Sequence, residues 1–119
     1  MAVVVDKRIP MTDFASVTVL VCPRCGSESI HHQAATLYDR PEDSEMVVRS
    51  TVENGSAKID VVPSESSGNP SSRRDGLSIK FWCEGCKGID EDVLELTVSQ
   101  HKGSTELGWR YSPKAPREG

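Results

Sequence analysis

Two segments of this sequence, Cys22-Pro23-Arg24-Cys25-Gly26 and Cys83-Glu84-Gly85-Cys86-Lys87-Gly88, decide how the chain folds. They contain all four cysteines of the protein, arranged as two Cys-x-x-Cys pairs. One pair supplies two sulfurs at the spacing that a metal ion needs, and a second pair completes a tetrahedral zinc site. The predicted ligands of a structural Zn²⁺ are Cys22, Cys25, Cys83 and Cys86.

The 57 residues between Cys25 and Cys83 far exceed the 15–20 residues of a compact zinc motif. We therefore expect an insert, residues 40–76, and a long loop adds little closure entropy. Redox-active cysteines and disulfides are the alternatives to zinc. A thioredoxin-like redox motif requires a βαβ pattern, which the sequence does not show.

Size and composition predict a single small domain with a thin core. The chain has 119 residues, of which 36% are hydrophobic and 5% aromatic. Small domains with few apolar residues often depend on a metal for stability. The net charge of −4 argues against nonspecific binding to nucleic acid, which requires a basic face.

The N-terminal residues resemble neither a signal peptide nor a membrane span, because the apolar run at residues 2–5 is followed at once by charges. We expect a cytoplasmic protein with no membrane association, where reducing conditions favour metal binding over disulfides. Residues 1–15 are predicted to be a flexible arm, residues 16–111 the folded domain, and residues 112–119 a disordered tail.

Alternating apolar residues predict mostly β structure. A strand with Val17, Val19 and Val21 should lead to Cys22. A second strand, residues 29–38, should place every other residue on one face. The members of that face are Ile30, His32, Ala34, Thr36 and Tyr38.

The insert contains the clearest turn signal in the sequence. Residues 46–52 and 57–62 flank Asn54-Gly55, a dipeptide that favours the type I′ turn of a β-hairpin. Residues 63–76 then predict a long polar loop. Within it, Asn69 as a cap and Pro70 at a first helical position favour one short helical turn, and a mobile Ser-rich linker is the alternative.

Two more strands and a turn follow. Residues 77–83 predict a strand with Leu77, Ile79 and Phe81 on one face and Ser78, Lys80 and Trp82 on the other. Residues 93–100 and 105–111 predict a hairpin around a turn at residues 101–104. Its predicted core residues are Leu94, Leu96, Val98, Leu107, Trp109 and Tyr111.

A few side chains outside the cysteines are candidates for function. Candidate binding residues are Arg73, Arg74, Lys80 and Trp82, because an indole beside cations suits a nucleic-acid base or a protein partner. The favoured interpretation is nevertheless that the insert covers this face and buries Trp82. The histidines, at positions 31, 32 and 101, are predicted to be strand or surface residues, since four thiolates already satisfy zinc.

The order of these motifs resembles a zinc ribbon of the rubredoxin-like type. Cys22-Pro23-Arg24-Cys25-Gly26, the segments at residues 40–43 and 68–77, Phe81-Trp82-Cys83-Glu84-Gly85-Cys86 and residues 100–105 are similar to small uncharacterised zinc-ribbon proteins of bacteria and bacteriophages. The resemblance spans about residues 20–111. It implies a cysteine-bound zinc and a prokaryotic or phage cytoplasmic setting, and it implies no reaction.

The sequence therefore predicts a mostly β zinc ribbon with an inserted hairpin and a polar loop. We expect a non-catalytic interaction module that binds a protein partner. The alternative is a nucleic-acid-binding zinc ribbon that uses the loop of Arg73 and Arg74 together with Trp82. An enzyme is a third interpretation, which requires that the zinc is not fully bound by thiolates.

Overall fold

The sheet is the only large element of the part of the chain that the structure, a computed structural model, describes: residues 19–86 and 94–111. Its six strands are antiparallel and lie in the order β3-β2-β1-β4-β5-β6. The strands are β1 (Ile30–Asp39), β2 (Met46–Glu53), β3 (Ser56–Pro63), β4 (Gly76–Cys83), β5 (Leu94–His101) and β6 (Ser104–Tyr111). The prediction of a small, mostly β domain is confirmed.

Both predicted hairpins are present. Asn54 and Gly55 join β2 to β3 with φ angles of 52° and 74°, the left-handed conformations that a type I′ turn requires. Lys102 and Gly103 join β5 to β6 with φ angles of 48° and 81°. The insert extends the sheet beyond β1, while the last hairpin extends it beyond β4.

A β-bulge divides β1 into two parts, and even-numbered side chains before the bulge point to the opposite face from even-numbered side chains after it. His32 lies opposite Phe81, but Ala34 lies opposite Lys80, so the register shifts between them. Residues directly opposite each other share a face of the sheet. Ile30 and His32 therefore face one way, and Ala34 and the alternate residues after it face the other way. The prediction of one continuous face from Ile30 to Tyr38 is wrong, because the bulge adds one residue to the period of two.

The two faces of the sheet differ sharply in polarity. The apolar face carries Leu77, Ile79 and Phe81, and the charged face carries Ser78, Lys80 and Trp82, as predicted. The core on the apolar face lies at the end of the sheet where β4 ends, around Cys22, Phe81, Cys83, Cys86 and Leu94.

The apolar side chains of the edge strand β6 are only partly buried. Trp109 is partly buried and packs against this core. Leu107 and Tyr111, which were predicted to be core residues, are instead 44% and 51% exposed. They lie on the edge strand β6, which has a neighbour on one side only.

The polar loop lies against the charged face at the opposite end of the sheet. Arg49 donates a hydrogen bond to the Ser67 carbonyl (3.0 Å), and the Ser71 hydroxyl donates to the Gln100 carbonyl (2.8 Å). Ser67 and Ser71 are buried. These hydrogen bonds argue against a mobile linker.

Two local predictions in the loops are wrong. Residues 68–75 form bends rather than a helical turn, and the one 3₁₀ helix of the loop is Ser64–Ser66. Residues 19–22 are not in a strand, so Cys22 is reached through irregular backbone. The arm predicted at residues 1–15, the first residues of the predicted strand at 16–18 and the tail at 112–119 lie outside the described residues.

Gly76 should not tolerate a side chain. It is buried at the start of β4, and a Cβ atom there would lie 2.1 Å from Asn69 Oδ1 and 2.9 Å from the Pro70 ring. Gly76→Ala should therefore lower the free energy of unfolding by about 2 kcal/mol, measured by urea denaturation. Gly108→Ala is the matched control, because its Cβ would lie 3.4 Å from Thr97 Oγ1. Equal stability of the two variants would contradict this account of the loop.

Candidate metal centre

The four cysteine sulfurs converge at one end of the sheet. Each Sγ lies within 4.8 Å of the other three. Cys22 Sγ is 3.8 Å from Cys86 Sγ, and Cys25 Sγ is 3.5 Å from Cys83 Sγ. A tetrahedral ion with metal–sulfur bonds of about 2.3 Å requires sulfur–sulfur distances of about 3.8 Å. The spacing of the sulfurs therefore fits a single metal ion held by four thiolates.

Local backbone geometry positions each pair of sulfurs. In the first pair, the Gly26 N–H donates to the Cys22 carbonyl (2.8 Å), and the left-handed φ of 77° at Gly26 turns the chain back. Cys83 is the last residue of β4, and Cys86 ends the 3₁₀ helix Glu84–Cys86. Both pairs are thus held by tight turns, the first within irregular backbone before β1 and the second at the end of β4.

Contacts between the two turns bring the pairs together. The Glu84 N–H donates to the Ser29 carbonyl (3.0 Å), which joins the second turn to the residue before β1. A Cβ at Gly85 would lie 3.1 Å from Cys25 Sγ, so a glycine allows close approach of the two turns. Cys22, Cys83 and Cys86 are buried, whereas Cys25 is exposed.

Arg24 is the positively charged side chain next to the four cysteine sulfurs. Its Nε is buried and has no hydrogen-bond partner among residues 19–86 and 94–111. Burial opposes its charge, but the Cys22 and Cys86 sulfurs outweigh burial and raise its pKa. Its guanidinium carbon also lies 5.6 Å from the centre of the Tyr111 ring. Four thiolates and one divalent ion carry a net charge of −2, so this partly buried cation is suited to offset half of it.

The free thiols differ in acidity. Burial raises the pKa of Cys83, and burial together with the neighbouring thiols raises the pKa of Cys86 to about 12. Burial also opposes ionisation of Cys22, but the backbone N–H groups of Cys25 and Arg24 outweigh it and lower its pKa to about 6. At neutral pH a metal ion must therefore displace protons from Cys83 and Cys86.

Trp82 lies beside the metal centre on the charged face and is 48% exposed. Its ring stacks on His31, with ring centres 4.4 Å apart and planes inclined by 21°. His31 Nε2 in turn lies 2.5 Å from a carboxylate oxygen of Glu84. The prediction that the insert buries Trp82 is wrong, because β2 and β3 extend the sheet sideways instead of folding over it.

The loop arginines lie far from Trp82. Arg73 and Arg74 precede the start of β4, and Trp82 is near its end, so about 20 Å of extended strand separates them. Arg73 makes two hydrogen bonds to Asp43 (2.8 and 2.6 Å) and lowers the pKa of that carboxyl. Arg74 pairs with Glu42 at 2.9 Å. The four candidate binding residues therefore form two separate pairs: Arg73 and Arg74 beside Glu42, and Lys80 and Trp82 on the charged face of β4.

The charged face also holds a polar cavity of about 410 Å³. Its charges are largely paired within the cavity: Arg49 with Asp60 at 2.9 Å, and Arg110 with Glu95 at 3.1 Å. Such pairing leaves little net charge with which to attract an ion. The cavity is therefore a weaker candidate site than the sulfur cluster.

The histidines do not join the metal centre. Within the described residues, the cluster consists of the four cysteines alone. His31 stacks on Trp82, His32 contacts the Phe81 ring edge-on at 6.4 Å, and His101 ends β5. The prediction that they are strand or surface residues is confirmed.

Comparisons with models of protein families, with curated proteins and with solved structures found no match to this chain. Within residues 19–86 and 94–111, no helix is long and apolar enough to cross a membrane.

Sequence reasoning missed Arg24, His31 and Glu84. A cation between two metal ligands was a usable signal for Arg24, because clustered thiolates require compensating charge. No sequence signal identified His31 as the neighbour of Trp82. Their stacking depends on the bulge in β1, which puts His31 and not His32 on the charged face.

Acidification should release the metal. In the loaded fold the sulfurs are held as thiolates, whereas the unfolded chain, whose cysteines have ordinary pKa values near 9, binds protons. The stability contributed by the metal is therefore complete only above the unfolded cysteine pKa of about 9, and it decreases as the pH falls below that value. Because at least Cys83 and Cys86 must lose protons, Zn²⁺ affinity should fall at least about 100-fold per pH unit near pH 7. Competition with a chromophoric chelator measures this slope, and a pH-independent affinity would contradict thiolate ligation.

Arg24→Gln should weaken metal binding without removing a ligand. We expect a loss of about 10-fold in Zn²⁺ affinity, comparable to the loss of other groups around metal ligands. Glu28→Gln is the matched control, since Glu28 is exposed and lies outside the cluster. If both variants bind Zn²⁺ like the unmodified protein, Arg24 does not compensate the thiolate charge.

Proposed function

We propose that this protein is a non-catalytic zinc-binding module that holds a protein-interaction surface in place. The observation that carries the proposal is the closed cluster of four sulfurs at tetrahedral spacing. Zinc is the ion that most often takes such a site, because it accepts four thiolates in tetrahedral geometry. The rubredoxin-like zinc ribbon stays a resemblance, supported by the two cysteine turns.

A structural role for the zinc follows from its ligand count. A catalytic zinc keeps one position for water or substrate, and four thiolates leave none. The described core on the apolar face gathers around three of the cysteines, so the metal would stabilise both turns and the strands behind them. We expect chelation of the zinc to unfold this end of the sheet. The proposed setting is the reducing cytoplasm of a bacterium, or of a bacterium infected by a phage.

The proposed contact surface is the cluster of Trp82, His31 and Glu84. An exposed tryptophan held in one orientation loses little conformational entropy on binding, and tryptophan is enriched among residues that dominate protein interfaces. The His31 stacking and the Glu84 contact supply that orientation. Glu84 also brings a negative charge, which disfavours a phosphate backbone and is compatible with a protein partner.

The nucleic-acid alternative stays a prediction with less support. It requires Arg73 and Arg74 beside Trp82, whereas both arginines pair with acidic residues about 20 Å away along β4. No other observation favours nucleic-acid binding.

Capture of partners by the zinc-loaded protein tests the proposal. From nuclease-treated lysate, the unmodified protein should retain a specific protein, and Trp82→Ala should reduce its recovery at least about 10-fold. Arg73→Ala/Arg74→Ala should bind like the unmodified protein. Zinc content measured on each variant separates loss of contact from loss of fold.

Two results would contradict the proposal. The first is that no protein is recovered whose binding depends on Trp82. The other is salt-dependent binding of DNA or RNA that Arg73→Ala/Arg74→Ala abolishes, which would favour the nucleic-acid alternative.

A further inference from the structure

The apolar face over β1, β2 and β3 is exposed. Six large apolar side chains there are between 39% and 72% exposed, and they form one continuous area on three neighbouring strands. We call this area the insert patch. Its members are Leu37, Met46, Val48, Val52, Ile59 and Val61.

The insert patch follows from strict alternation in the inserted hairpin. Every charged residue of β2 and β3 points to the charged face, where Arg49 pairs with Asp60. The side chains that β2 and β3 place on the apolar face are all uncharged. Asp39, at the end of β1, is opposite Val48 and lies at the rim. A sheet with this pattern normally packs its apolar face against a second layer.

We propose that the insert patch is the interface of a homodimer, in which two copies stack these faces as a two-layer sandwich. A second copy presents a sheet of the same strand length and the same twist, and packed sheets align best when their twists match. Because the facing side chains are uncharged, the net charge of −4 on each copy does not bring like charges together at the interface.

The area of the patch is compatible with a stable dimer. Six apolar side chains at these exposures present on the order of 500 Å², in the upper part of the range of about 300–600 Å² for the largest apolar patch of a monomeric protein, and such patches often serve as binding surfaces. Two copies would therefore bury on the order of 1,000 Å² from these side chains alone, and a specific interface needs at least about that much in total. The backbone and the patch rim add to this area.

The proposal is independent of the proposed function. Trp82 and His31 lie on the charged face, so stacking of the apolar faces leaves them accessible. A dimer would present two such clusters on opposite outer surfaces. An experiment can therefore disprove partner binding without disproving dimerisation, and the reverse.

Sedimentation of the zinc-loaded full chain over a wide concentration range tests the dimer. The unmodified protein should reach twice the monomer mass of 13.0 kDa. Val52→Lys, on the inner strand β2, should weaken the dimer at least about 10-fold, since symmetry places two added charges in one interface. Leu107→Lys is the matched control: Leu107 is also exposed on the apolar face, but on β6, and its variant should dimerise normally.

Several results would overturn the proposal. The first is a protein that stays monomeric at all concentrations, because the insert patch would then not be a dimer interface. If such a protein dimerises only after deletion of residues 1–18, the chain's own N-terminal segment covers the insert patch. A dimer unaffected by Val52→Lys, as in edge pairing through β3, would place the interface elsewhere. An equal loss of dimer in the Leu107→Lys variant would also place the interface elsewhere. Unchanged zinc content in both lysine variants confirms that each one folds.

Discussion

The convergence of four sulfurs at one end of the β1–β4 pair is the constraint on which the rest of the structure depends. It ties irregular backbone before β1 to the end of β4, although 57 residues separate the two cysteine pairs in the chain. The buried side chains of the apolar face surround these sulfurs rather than the centre of the sheet. A domain with so few apolar residues thus concentrates its packing where a metal cross-link would restrict the unfolded chain.

The bulge in β1 is the second organising feature, because it decides which side chains lie on each face of the sheet near the cysteine cluster. On one side of the bulge, His31 meets Trp82 on the charged face and His32 meets Phe81 on the apolar face. On the other side, Ala34, Thr36 and Tyr38 are buried on the charged face, where Tyr38 lines the polar cavity together with Gly68 of the polar loop. The exposed aromatic cluster and the insert patch therefore lie on opposite faces, which allows two separate contact surfaces on one small sheet.

Local patterns predicted the strands and turns from β2 to β6 well, although the alternation at residues 17–21 did not produce a strand over residues 19–22. The Asn54-Gly55 turn, the alternation in β4 and the hairpin of β5 and β6 all agree with expectation, because each depends only on neighbouring residues. Predictions failed where a distant contact decided the outcome. The loop at residues 68–75 forms bends because Asn69 hydrogen-bonds within it, and Ser71 bonds to Gln100 on another strand. Trp82 is exposed because the insert lengthens the sheet.

The sequence by itself determined the candidate metal ligands, most of the strand pattern and the separation of charged from apolar residues in the inserted hairpin, since spacing and alternation act through short-range geometry. Only the tertiary structure decided which side chains meet across strands. Arg24 beside the sulfurs, His31 on Trp82 and the acidic partners of Arg73 and Arg74 all depend on register and on the order of strands. Register is sensitive to small changes, because a one-residue shift at a single bulge reverses the facing of every residue that precedes it.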